Sequence, residues 1–156
     1  MYEIFDNCQS LASIDLSRFD TKYVEDMQLL FNECKSLKYI DVSEFDTNKV
    51  TSMSDMFQGC TSLTSIDITG FNVKRVVDTS YIFTACDSLT SIDLSKLNFA
   101  PKNFEKMFNG CFSLKSIDIS SFTTNFVNEI NYMFYKYTSL EYMNLPILNL
   151  NKVRDM

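Results

Sequence analysis

Five aspartates, Asp15, Asp41, Asp67, Asp93 and Asp118, return at a nearly constant interval, and Asn144 takes the sixth place. Two residues after each aspartate comes Ser or Thr, and after Asn144 comes Pro146. A row of carboxylates has two readings. As an oxygen-only set it suits a hard cation such as calcium, or a basic ligand. As turn chemistry, the carboxylates splay into solvent and accept hydrogen bonds from flanking hydroxyls such as Ser13, Ser17, Ser91 and Ser95. Neighbouring carboxylates about 5 Å apart repel by roughly 1 kcal/mol in water, so something must relieve the row.

The cysteines are equally regular. Cys8, Cys34, Cys60, Cys86 and Cys111 form a column that ends in Tyr137. Equivalent side chains on stacked strands point the same way. Their Cβ atoms therefore stay about 4.8 Å apart, beyond the roughly 3.8 Å a disulfide needs. The chain has no C-x-x-C pair and no histidine, so no zinc-ligand set is recognisable. The column reads as buried free thiols, with redox or metal use as the alternative.

Catalysis finds little to work with. Without histidine, the usual base for a Ser or Cys nucleophile is missing. The carboxylates are many but sit in equivalent settings, whereas acid/base work needs two carboxyls driven apart in pKa. Three glycines, Gly59, Gly70 and Gly110, make no phosphate-cradling loop. The expectation is a non-enzyme that needs no cofactor.

These columns are set by a repeat of 26 residues. One phenylalanine marks each unit: Phe5, Phe31, Phe57, Phe83, Phe108 and Phe134, with a single 25-residue step between the fourth and fifth. A serine column, Ser10, Ser36, Ser62, Ser88, Ser113 and Ser139, has no exception and is the kind of residue that forms a local turn. It leads into L-x-x-I-x-[LIV], which begins at Leu11, Leu37, Leu63, Leu89, Leu114 and Leu140. That pattern matches the strand of a leucine-rich repeat, with aliphatic residues inward and Asp and Ser outward.

In VEDMQLLFNEC the apolar residues Val24, Met27, Leu30, Phe31 and Cys34 recur at threes and fours, which predicts a short core-facing helix. Asp26, Ser52, Asp78, Asn103, Glu129 and Asp155 stand where such a helix starts, and all but Glu129 are good acceptors for first-turn amides. The phenylalanines at Phe31, Phe45 and equivalent positions read as core. Tyr39 and Tyr142 occupy the outward strand face where other units carry serine, and exposed tyrosines favour contacts.

One unit buries too few apolar side chains to offset its own ordering, so the units must stack. The predicted fold is an α/β solenoid, a right-handed leucine-rich-repeat-like coil with a parallel sheet on one side and short helices on the other. It comprises a single array of repeats at 1–26, 27–52, 53–78, 79–103, 104–129 and 130–155. The fourth unit is one residue short through KLNFAPKNF, where Pro101 predicts a kink on the convex side. Met156 would open a seventh unit, and neither end carries a polar cap. The expectation is an excerpt of a longer array, or a protomer whose open ends are covered by neighbours.

Composition narrows the partners. The 46% apolar and 14% aromatic content is enough to build a continuous core, and a net charge of −6 opposes a sequence-independent grip on phosphates. Nucleic acid is therefore not an expected partner. No apolar run approaches the roughly 20 residues that span a bilayer, and residues 1–20 lack the basic start and apolar block of a signal peptide.

Read from the first three units, M-x-x-M-F-x-x-C-x-S-L-x-S-I-D-L-S-x-F-D-T-x-x-V-x-D resembles the BspA-like leucine-rich repeats, in the variety common in Mycoplasma surface lipoproteins. The resemblance covers essentially the whole chain. It implies a surface-exposed or secreted repeat protein, in some members an adhesin that binds host or matrix proteins, and it carries no catalytic residues across. Two functions are expected in competition. One is recognition of a protein or glycan partner through the strand face, at Tyr39, Asp41, Asp15, Asp67, Asp93, Asp118 and Tyr142. The other is end-to-end homotypic stacking into a fibre or surface layer.

Overall fold

The computed structural model describes every residue except 98, 148, 150, 152 and 154–156. Asp155, expected at a helix start, and Met156, expected to open a further unit, lie outside the described residues. The chain is a repeat solenoid whose rungs bond to one another in the expected register.

On the face led by L-x-x-I-x-[LIV], four short strands form among the described residues: β1 Ser65–Ile66, β2 Ser91–Ile92, β3 Ser116–Asp118 and β4 Tyr142–Asn144. β1 pairs in parallel with β2 (Ser65 opposite Ser91), and β3 with β4 (Ser116 opposite Tyr142). The first two units keep the rung contact without regular strands: the Ser36 amide reaches Gln9 O at 3.1 Å and the Thr64 amide reaches Lys38 O at 3.2 Å. A second parallel ladder of single bridges joins Asp26, Ser52, Asp78, Asn103 and Glu129.

Among the described residues, the predicted helices are not there. In their place, residues 2–7, 28–33, 54–59, 80–85, 105–110 and 131–136 form runs of turns. Two residues of each run adopt left-handed φ; in the second unit these are Leu29 (φ 56°) and Glu33 (φ 56°), and in the third Asp55 (φ 57°) and Gly59 (φ 68°). A helix needs every amide for its own chain four residues back, and here the amides divide between two tasks. Alternate amides donate to the next rung: Met27 to Ser52 O (3.1 Å), Leu29 to Ser54 O (3.1 Å), Phe31 to Met56 O (2.9 Å) and Glu33 to Gln58 O (2.7 Å). The amides between them close turns: Leu30 to Met27 O (3.4 Å), Asn32 to Leu29 O (3.2 Å) and Cys34 to Phe31 O (3.3 Å). Successive three-residue turns bring Met27, Leu30, Phe31 and Cys34 to one side, so the spacing of a helix is reproduced by a different backbone.

The cap chemistry survives the change of element. Asp26, Ser52, Asp78 and Asn103 each accept the amide two residues on, at 2.9, 3.4, 3.0 and 2.7 Å.

The core lies between the two ladders. Met27, Leu30, Phe31, Cys34 and Leu37 are fully buried, as are their counterparts in the third unit, Met53, Met56, Phe57, Cys60 and Leu63. The marker phenylalanines stack ring on ring, with centroids 5.3 Å apart for Phe5 and Phe31, 5.7 Å for Phe31 and Phe57, 5.7 Å for Phe57 and Phe83, and 5.5 Å for Phe83 and Phe108. The Phe45 column is buried as well, through Phe71 and Phe122.

The short fourth unit does not interrupt the ladder. Lys102 N reaches Val77 O (2.9 Å) and Asn128 N reaches Lys102 O (2.8 Å), as in the longer units. The missing residue is absorbed at one corner. Elsewhere Val24, Val50, Val76 and Val127 donate to the carbonyl three residues back, whereas here Phe99 closes a tighter bond to Leu97 O at 2.8 Å. Buried Pro101 takes the valine position and has no N–H to close the turn that the valines close elsewhere.

Candidate functional site

The strand face is built from short turns that fix polar side chains. Each carboxylate of the aspartate row accepts the backbone amide two residues on: Ser17 to Asp15 (3.0 Å), Ser43 to Asp41 (3.0 Å), Thr69 to Asp67 (2.9 Å), Ser95 to Asp93 (2.9 Å) and Ser120 to Asp118 (2.9 Å). The hydroxyls of Thr69, Ser95 and Ser120 donate to the same oxygens at 2.7, 2.7 and 2.6 Å. Asn144 Nδ2 donates to the other oxygen of Asp118 at 3.1 Å.

These donors hold the carboxyls of Asp15, Asp41, Asp93 and Asp118 below their usual pKa, the partner hydroxyl first and the amide second. At Asp67 the Thr69 amide leads. Repulsion from the next rung is present but smaller: Asp93 raises Asp67, and Lys96 opposes it. The row is thus relieved by its own turns, through the residues after each aspartate rather than Ser13 or Ser91 before it. Among the described residues, no three His, Cys, Asp or Glu side chains come together as a metal-holding group.

Tyr39 and Tyr142 are exposed at 62% and 59%, where Ser65, Ser91 and Ser116 stand in the intervening units. The two rings are not neighbours. Four rung-to-rung steps separate them, about 19 Å at the usual strand spacing. Tyr39 is close in sequence to exposed Asp41 and to a recess of about 90 Å³ lined by Asp15, Ser17, Asp41 and Glu44.

The cysteines are free. Four are buried and donate Sγ–H to a phenylalanine carbonyl of the preceding rung: Cys34 to Phe5 (3.3 Å), Cys60 to Phe31, Cys86 to Phe57 and Cys111 to Phe83 (each 3.2 Å). Burial pushes the Cys34 thiol up to about 11 and Cys111 up to about 12, and raises Cys60 and Cys86 likewise. A thiol that resists ionisation is a poor nucleophile and a poor ligand.

Several polar features were not anticipated. The Thr of the F-D-T motif is buried and ties rung to rung: Thr21 Oγ1 donates to Asp46 O (3.3 Å) and accepts Asp46 N (2.7 Å), and Thr47 repeats this with Asn72 (3.2 and 2.7 Å). Its invariance over the first two units was the available clue. On the turn side, Tyr81 donates to Glu105 Oε1 (2.8 Å) and Lys106 reaches Tyr81 Oη (3.3 Å). The Lys106 ammonium lies 5.0 Å from the Tyr81 ring centroid and 5.7 Å from that of Tyr132. Two lysines, Lys74 and Lys96, line a recess of about 240 Å³ beside Gly70.

The family described as "Mycoplasma protein of unknown function, DUF285" matches residues 1–116 and 93–156, between them the whole chain. No curated protein matches. Among solved structures, a leucine-rich repeat protein from Bacteroides ovatus superposes with a TM-score of 0.53 at 23% sequence identity. The match covers 94% of this chain and 40% of that one, so the present chain spans less than half of its relative's length. The likeness bears on fold, and it agrees with a BspA-like leucine-rich repeat assignment.

Proposed function

The chain belongs to the Mycoplasma DUF285 repeat family, and on that premise we propose that it is a non-enzymatic recognition module at the cell surface or outside the cell, binding a protein or glycan partner through its strand face. The reading rests on one observation above the rest: Tyr39 and Tyr142 hold their rings in solvent on a rigid, bonded rung face, beside a row of ionised carboxylates. Tyrosine supplies a large contact surface at small entropic cost, and a tyrosine at the centre of an interface contributes about 2 kcal/mol or more to binding. The low carboxyl pKa values keep the row charged at neutral pH and favour a partner with basic or hydroxyl donors. Buried, un-ionised thiols and carboxylates tied into equivalent turns favour binding over catalysis.

Replacing Tyr39 by Ser, the residue of four other units, and Asp41 by Asn should weaken capture of a surface partner by about tenfold or more while leaving the melting temperature in place. Unchanged capture by both variants would count against the strand face.

A second reading, end-to-end stacking, has an observation of its own. The sixth rung presents an apolar recess of about 370 Å³ lined by Ile119, Ile130, Met133, Phe134 and Leu145, the kind of face that another rung or another copy covers. Electron microscopy separates the two, since dispersed single particles at high concentration would remove the filament.

A further inference from the structure

Gly70 stands where the other units carry Arg18, Glu44, Lys96, Ser121 and Ile147. Its backbone does not need glycine. Gly59 and Gly110 have positive φ and Gly70 does not, and a Cβ added at Gly70 would meet nothing within 4 Å. The consequence of this glycine is open space. On one side lies a recess of about 170 Å³ lined by Ser43, Asp67, Thr69 and Phe71; on the other is the recess of about 240 Å³ lined by Asn72, Lys74 and Lys96. Gly70 and Phe71 line both, so the two recesses lie side by side at this glycine as a notch over the second, third and fourth rungs.

One end of the notch is basic. In a chain of net charge −6, Lys74, Arg75 and Lys96 are all exposed along this edge. Among the described residues, neither Lys74 nor Lys96 has a carboxylate within ion-pair distance. Asp67 stands at the opposite end, with Oδ1 held by Thr69 and Oδ2 left as an acceptor.

We propose that this notch is a binding subsite for a carboxylate-bearing sugar residue, such as a terminal hexuronic acid of a glycan. The lysines take the carboxylate, and Asn72, Thr69 and Asp67 meet hydroxyl groups. An acidic peptide fits less well, because Asp67 would repel the charge that the lysines attract and would find no hydroxyl to accept from. The proposal deepens the recognition reading and depends on it, but uses residues that the strand-face test leaves untouched.

The test titrates the protein with an oligosaccharide ending in glucuronic acid and with the same sugar reduced at the carboxyl, followed by NMR. An acidic polyglutamate peptide is the third probe. The expected result is a preference for the acid sugar of about tenfold over its neutral form, weakening as salt screens the lysines. Gly70→Gln, which fills the notch without adding charge, and the double change Lys74→Gln with Lys96→Gln should each remove the preference with unchanged melting. Equal binding of the acid and neutral sugars, binding of the peptide as tight as the acid sugar, or a preference that survives Gly70→Gln overturns the proposal. If partner capture falls with Tyr39→Ser while the sugar preference is absent, the notch fails and the strand face stands. If the sugar preference is present and capture is indifferent to Tyr39, the strand face fails and the notch stands.

Discussion

The same small device, a side-chain oxygen accepting the amide two residues on, turns the backbone three times in each of the first three units. In the first it is used by Asp15, Asp20 and Asp26. The four buried cysteines work in the opposite sense, as thiols kept neutral by burial. Their folded pKa values lie above the ordinary thiol range of about 8.5, so the folded state binds more protons than the unfolded one at high pH. The stability they contribute is full below that range and is lost as pH rises toward the values of about 11 for Cys34 and about 12 for Cys111. Thermal melts should therefore fall as pH climbs above about 8.5, and a Cys60→Ala, Cys86→Ala variant should show a flatter decline from a lower start. Thiol labelling of the native protein at pH 8 should mark half-buried Cys8 first.

At the scale of the element, the turn runs carry a built-in strain. A residue other than glycine in the left-handed region costs roughly 1 kcal/mol, and ten described residues sit there, among them Leu29, Tyr81, Ala85 and Tyr132. The bonds to the next rung hold them in place. Gly59 and Gly110 occupy the position that Ala85 fills in the fourth unit, so Ala85→Gly places the unstrained residue in the same conformation. It should stabilise the protein by about 1 kcal/mol, or roughly 2–4 °C in melting temperature for a chain of this size. The opposite change, Gly110→Ala, has room for its methyl, with Ala85 backbone at 3.7 Å, and should lose a similar amount through backbone strain alone.

For the whole molecule, stability is close to a sum over rungs and the contacts between neighbours. Each rung meets only the one before and the one after, through the phenylalanine stack, the two bonded ladders and the threonine ties. Removing residues 53–78 as a block joins Ser52 to Thr79 and leaves both faces able to re-form the same bonds one unit shorter. That variant should unfold in a single cooperative transition at a lower temperature, as calorimetry would show. Removal of thirteen residues from the same place should abolish folding, because the rungs on either side could no longer align Phe31 with Phe83 or Cys34 with Cys86.

Much of this protein is legible in its sequence because stacking demands identity of position. The 26-residue interval alone places Phe31 on Phe57, Cys34 beneath Cys60 and Asp41 beside Asp67, and it marks the outward aspartates and tyrosines as the exposed face. It does not say which backbone produces that spacing. Apolar residues at threes and fours describe a helix and a chain of three-residue turns equally well, and what separates them is where the alternate amides go. That is settled by the carbonyls of the next rung, which are far away in sequence and near only once the units stack. The notch at Gly70 has the same origin: a missing side chain becomes a recess only when Ser43 and Lys96 are brought to either side of it.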